Sequence, residues 1–242
     1  MLKPLFPRLA GLAALLLCLQ AAVAQEAVIR KNIAERLPDL PKIDEVTKTA
    51  IPGLYELRLG TEVVYSDEQG NYLIEGSLID TRTRANLTEA REAKLNAIDF
   101  DTLPLKDAMV WKQGNGSRRI AVFADPNCGF CKRFERNLQS AKDVTVYTFL
   151  IPILGGDSPA KSTDIWCAKD NTHAWREWML DGKAPPRSMG KCETPMARNL
   201  ALSRKFKVNG TPAIVFEDGT RAPGALSADE LEKRLVASRG KS

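Results

Sequence analysis

Apolar residues recur at Val28, Ile29, Ile33 and Leu37, a spacing that predicts one helical face, and Pro38 ends the run. From Val46 the period shortens. GLYELRLGTEVVYSDEQGNYLIEGSLID breaks short β-rich runs at Gly60 and at SDEQG, which predicts an antiparallel meander turning near Asp67–Gly70. NLTEAREAKLNAI, residues 86–98, is rich in helix formers and poor in large apolar residues, the pattern of an exposed connecting helix. The second half reads differently. Ile120–Ala124 is an uncharged run of buried-strand type, CKRFERNLQSA is a helix with Phe134 and Leu138 on one face, and VTVYTFLIPIL is another buried strand. Strand, helix and strand in that order predict a parallel pair joined by a crossover helix.

Residues 158–206 read as mostly helical, interrupted at GKAPPRSMG. PAIVFEDGTR is a third strand leading to a turn at Asp218–Gly219, and SADELEKRLVAS closes the chain as a helix with Ser227 and Glu230 in capping-box positions. The expected fold class is therefore α+β. A small α+β domain spans 25–85, a linker helix 86–104, and a second domain 105–242. Residues 25–85 offer few large apolar side chains, so a two-strand unit there would be only marginally stable by itself.

The N-terminus changes the picture next. MLKPLFPR is a short basic region, LAGLAALLLCL an apolar stretch, and QAAVAQ carries small residues at Ala22 and Ala24. That layout predicts a secretory signal peptide over residues 1–24. The apolar stretch is shorter than the roughly 20 residues of a membrane span. Leu17 before Cys18 does not suit a lipoprotein signal. The expected product starts at Gln25 and is exported. Removing Lys3 and Arg8 with the leader leaves an excess of three basic residues from the original 35 against 30 acidic. An excess this mild, without long basic runs, does not argue for nucleic acid or an anionic membrane, and no nucleic-acid partner is expected.

Four cysteines then remain: Cys128, Cys131, Cys167 and Cys192. An even number in an exported chain suggests disulfides. The motif NCGFC poses the chemical question, because its spacing serves redox exchange, zinc and cysteine proteolysis alike. A zinc site wants two close ligand pairs, but Cys167 and Cys192 are far apart and His173 has no second histidine, so no metal is expected. A cysteine protease needs a histidine base, for which His173 is the sole candidate, and a small residue where Phe130 stands. A structural Cys128–Cys131 disulfide would close too short a loop to restrict the unfolded chain much.

Redox exchange fits best. Cys128 falls between a buried strand and a helix N-terminus, where the dipole and free N–H groups stabilise a thiolate. Cys131, one turn on, sits where its sulfur can attack a mixed disulfide formed at Cys128. Lys132 and Arg133 could add favourable charge, though a solvated helix face explains them as well. Thr211–Pro212 stands immediately before the third strand, where an ordinary trans proline would be unremarkable.

FADPNCGFC, IWCAKD and NGTPAIVFEDGTRAPG together resemble the bacterial periplasmic thiol:disulfide isomerases of the DsbC type, within the thioredoxin superfamily. The resemblance extends over the expected exported chain, GNYLIEGSLID included. Phe130 stands where family members often have tyrosine, and Pro126 precedes the motif as in DsbG-type proteins. The resemblance implies a cystatin-like N-terminal dimerisation domain, a helical linker and a thioredoxin-like α/β domain with a helical insertion. It implies Cys128 as nucleophile, Cys131 as resolving thiol, a structural Cys167–Cys192 disulfide, and a cis Pro212 that contacts substrate backbone together with Thr211. It further implies a V-shaped homodimer with an apolar cleft, no cofactor, misfolded exported proteins as substrates, and a membrane reductase of the DsbD type as electron donor. The expected activity is reshuffling of wrong disulfides in the periplasm, with chaperone action. The alternatives are a holdase chaperone with secondary redox activity, or a dithiol oxidase.

Overall fold

The computed structural model describes residues 24–239. The leader expected over 1–24 lies outside them, save for Ala24. No described helix is long and apolar enough to cross a membrane. The chain divides into two compact units that meet between Leu95 and Asn96.

In the first unit, residues 24–36 form helix α1. Strands β1 (Glu45–Lys48), β2 (Leu54–Leu59), β3 (Glu62–Asp67) and β4 (Leu73–Ile74) follow as an antiparallel sheet in that order. Strand β2 alternates faithfully, burying Tyr55, Leu57 and Leu59 against Ile29 and Ile33 of α1. Gly70, at positive φ, closes the β3–β4 turn, and a Cβ there would sit 3.1 Å from the Ile29 carbonyl oxygen. The unit is more than the marginal two-strand piece expected from the sequence. Seven buried residues, completed by Ile43 and Val64, make a core of its own. Val28 and Leu37, which the spacing assigns to the buried face of α1, are instead exposed.

A short β5–β6 pair (Ile79–Asp80 with Ala85–Asn86) leads into α2 (Leu87–Leu95). Only Thr88 of α2 is buried, as its composition suggests. The helix is nevertheless not free-standing. Arg91 pairs with Glu45 at 2.7 Å and Glu56 at 2.9 Å, and Thr88 shares a hydrogen bond with Tyr65. The expected 86–104 linker is thus divided: α2 is tied to the first sheet, while Ile98, Phe100 and Leu103 are buried in the second unit.

The second unit is built on a five-stranded sheet in the order β11-β10-β8-β9-β7. Its members are β7 (Met109–Gln113), β8 (Arg118–Ala124), β9 (Val144–Leu150), β10 (Ala213–Phe216) and β11 (Arg221–Pro223). Strands β8 and β9 are parallel, with α3 (Gly129–Leu138) as the crossover; β7 and β10 run antiparallel to their neighbours. The edge strands β7 and β11 carry too few consecutive apolar residues to stand out by pattern. Helices α4 (Ser158–Trp166) and α5 (Asn171–Arg176) form the insertion, which continues as a π-helical turn over Glu177–Asp181; α6 (Met196–Lys205) follows. Helix α7 (Ala228–Ser238) opens on the capping box formed by Ser227 and Glu230. One core packs α3 and α7 on β8 through Phe134, Leu138, Leu231 and Leu235, and a second holds Phe123, Phe149 and Val215 on the other face of the sheet.

Candidate functional site

Directly after β8 comes Asp125, a fully buried carboxylate. It accepts from the Asn127 backbone N–H at 2.8 Å, the Leu154 N–H at 3.0 Å and the Ser158 hydroxyl at 2.5 Å. Three donors on one buried carboxylate meet the requirement that such a group be hydrogen-bonded. The clasp holds the turn that delivers Cys128 to the N-cap of α3, with the Cys128 N–H donating to the Asp125 carbonyl at 3.1 Å.

Cys128 and Cys131 are unbonded, 4% and 1% exposed. The Cys128 sulfur takes the place of the usual capping oxygen and accepts the Cys131 backbone N–H at 3.2 Å. The Cys128 thiol is held down at about 6, first by a hydrogen bond from the Cys131 thiol. Desolvation opposes this; Thr211 and the backbone N–H groups of Cys131 and Phe130 add to it. Burial pushes the Cys131 thiol far up, and the Cys128 charge beside it adds to the rise. Two sulfurs three residues apart are therefore driven in opposite directions. One is a thiolate at neutral pH and the other keeps its proton.

Thr211 and Pro212 come to the same place because they immediately precede β10, which pairs with β8. The Thr211–Pro212 peptide is cis, and the Thr211 carbonyl lies 3.2 Å from the Cys128 sulfur. The Thr211 hydroxyl is buried without a settled partner, and its rotor can donate to either sulfur, an effect that lowers both thiols. Phe130, at 59% exposed, stands out from the motif with the Arg133 guanidinium 5.0 Å above its ring.

Cys167 and Cys192 are joined by a disulfide within the insertion, 25 positions apart in sequence. His173 lies on the exposed side of α5, paired with Glu177 at 3.3 Å. Lys132 is not simply a solvated side chain, because its ammonium sits 4.1 Å from the centroid of the Trp178 ring.

Two buried acids flanking the NCGFC motif escaped the sequence reading. Asp125 reads as a turn residue in ADPN, and Glu135 as one of several charges on α3. Glu135 is in fact 4% exposed and accepts from the Trp175 indole N–H at 2.6 Å. The signal that could have found it is the spacing: Glu135 lies four residues after Cys131, on the buried face of α3.

Residues 105–238 match the thioredoxin-like domain family, and residues 20–89 match the disulfide bond isomerase protein N-terminal domain. The chain is 44% identical over 216 residues to the probable thiol:disulfide interchange protein DsbC of Bordetella parapertussis, covering 89% of this chain and 76% of that one. It is 29% identical over 221 residues to thiol:disulfide interchange protein DsbC of Escherichia coli K12, covering 88% and 89%. Among solved structures it is similar to a disulfide interchange protein from Neisseria gonorrhoeae, with TM-score 0.54 and 38% identity over 57% of this chain and 99% of that chain. With the two family models together covering almost the whole described chain and the Bordetella relative at 44% identity, the chain belongs to the DsbC family of thiol:disulfide interchange proteins.

Proposed function

We propose that this protein is a disulfide isomerase that reshuffles wrong disulfides in exported proteins of the periplasm. The observation that carries the reading is the opposed pair of sulfurs, with Cys128 lowered to about 6 and Cys131 raised. The Cys128 thiolate attacks one sulfur of a substrate disulfide. A mixed disulfide forms, and the other substrate sulfur leaves as a thiolate. In isomerisation, another substrate thiolate attacks the mixed disulfide on the substrate's own sulfur, restoring Cys128 as the thiolate leaving group. When no such thiol arrives, Cys131 loses its proton and attacks the Cys128 sulfur, releasing reduced substrate and leaving the Cys128–Cys131 pair oxidised. A membrane reductase of the DsbD type then returns two electrons and two protons.

Thr211 and Pro212 bind the substrate backbone beside the sulfurs, in the manner of strand addition. The Cys167–Cys192 disulfide has a structural role in the insertion. Residues 25–85 act as a dimerisation domain, so that two Cys128 sites face a cleft where an unfolded chain is held, which supplies the chaperone action. The likeness of residues 20–89 to an isomerase N-terminal domain supports the isomerase over a dithiol oxidase, which needs no second binding surface. The test is refolding of a scrambled multi-disulfide protein in a glutathione buffer. Wild type should restore native disulfides catalytically, Cys128→Ser should be inactive, and Cys131→Ser should accumulate mixed disulfides. An active Cys128→Ser variant would overturn the assignment.

A further inference from the structure

The π-helical turn Glu177–Asp181 lies far from NCGFC in sequence, yet Trp178 in it reaches the reactive loop. Its indole N–H donates to the Pro126 carbonyl at 2.6 Å, two residues before Cys128. Its ring centroid lies 4.1 Å from the Lys132 ammonium on α3 and 4.1 Å from the Lys161 ammonium on α4. Lys161 also donates to the Asn127 side-chain oxygen at 2.6 Å and pairs with Asp157 at 3.1 Å. The Asn127 amide in turn donates to Asp157 at 2.6 Å. One ring thus ties together the turn before the nucleophile, the helix after it and the first helix of the insertion.

We propose that Trp178 is a positioning residue for the Cys128 nucleophile: its indole N–H pins the Pro126 carbonyl, and its ring holds the Lys132 and Lys161 ammonium groups beside the reactive turn. Trp is the aromatic best suited to both tasks. It presents the strongest face for a cation and, unlike Phe, a donor at its edge. A π-helical turn is a rare element that concentrates at functional sites, and here it sets the register that aims Trp178 at the turn. Without the indole, the Pro126 carbonyl is free to turn, and Cys128 loses alignment with the N–H groups of Phe130 and Cys131. The two ammonium groups also relax toward water. Both changes weaken stabilisation of the thiolate. The other charged groups on the elements around the reactive turn are Asp125 directly after β8, Asp157 at the N-cap of α4, and Arg133 and the buried Glu135 on α3, while the indole N–H goes to the Pro126 carbonyl.

This inference rests on Cys128 being the nucleophile, and the experiment separates the two. Thiolate absorbance against pH is measured on the full exported chain for wild type, Trp178→Phe, Trp178→Ala and Cys128→Ser, with far-ultraviolet circular dichroism as the check on folding. Trp178→Phe keeps a ring for the lysines and loses only the N–H; its midpoint should rise by about half a unit, a roughly threefold loss of thiolate well below the midpoint. Trp178→Ala should rise by about one unit, roughly tenfold. If the alanine variant fails to fold, the phenylalanine variant decides alone. A folded Trp178→Phe with the wild-type midpoint, beside a Cys128→Ser that has lost the titration near pH 6, overturns the role of Trp178 and leaves Cys128 in place. A titration near pH 6 that survives in Cys128→Ser overturns both.

Discussion

The Cys128 sulfur lies 3.2 Å from the Thr211 carbonyl oxygen, across 83 positions of chain. β8 and β10 are adjacent antiparallel strands with Phe123 opposite Ala213, so the residue run after one strand faces the residue run before the other. Sheet register therefore assembles the site. It also sets what the Cys128 sulfur meets: N–H groups from α3 on one side, and on the other the Thr211 carbonyl, which accepts from the thiol, and the Thr211 hydroxyl.

The Cys128 thiolate should titrate with a midpoint near 6, so that roughly nine-tenths is ionised at pH 7. Because the folded value is depressed, the thiolate's contribution to the reduced fold is present above the unfolded value of about 8.5 and is lost as pH falls through about 6. Alkylation rates should fall about tenfold per unit below pH 6. Cys131→Ala removes the largest stabilising hydrogen bond and should move the midpoint upward. The couple should be oxidising, between about −180 and −120 mV. A midpoint above 7.5 would contradict the geometry.

Thr211→Val keeps the backbone carbonyl and the shape but removes the buried hydroxyl. Its thiolate midpoint should rise by about half a unit, since one donor to the sulfurs is lost. Absorbance against pH reads this directly, and an unmoved midpoint would mean that the hydroxyl does not face the charge.

Cys167→Ala with Cys192→Ala opens a loop spanning 25 positions and should cost about 3.5 kcal/mol in the chain-entropy model. Urea unfolding measures it. Under mild glutathione, differential alkylation of wild type should label Cys128 and Cys131 alone.

Burial raises the Glu135 carboxyl above its ordinary value, with the Trp175 hydrogen bond opposing. A raised acid favours the fold most below its unfolded value of about 4.3, and that contribution is lost as pH rises through the folded value. Glu135→Gln should therefore flatten this loss and leave the protein more stable at pH 8 by about 1 kcal/mol. Chemical denaturation at pH 5 and pH 8 checks the sign.

Strand β4 is the last in the first sheet, and Ile74 on it is half exposed. A bare edge with apolar side chains invites pairing with a second copy. Light scattering should give a dimer for the exported chain. Ile74→Asp, or deletion of residues 25–85, should give a monomer that keeps a reactive Cys128 and loses most isomerase activity. Full activity in the monomer would make dimerisation incidental.

What the sequence by itself determined was local. The period of apolar residues marked α1, the meander, β8, α3 and β9, because a helix or strand that buries one face must repeat at 3.6 or 2. The position of Cys128 between a buried strand and a helix start was likewise legible, since the cap and the dipole belong to neighbouring residues. Tertiary structure decided the rest. Nothing within NCGFC says that its second thiol is buried, or that Thr211 arrives opposite the first; those depend on strand order. Asp125 and Glu135 look like surface charges until partners from α4 and α5 cover them. α2 looks free until Arg91 finds Glu45 and Glu56. Trp178 is one tryptophan among four until the π-helical turn aims its N–H at Pro126. Each of these is a contact between residues distant in sequence, and burial, which sets both charge state and hydrogen-bond need, exists only once the chain has closed on itself.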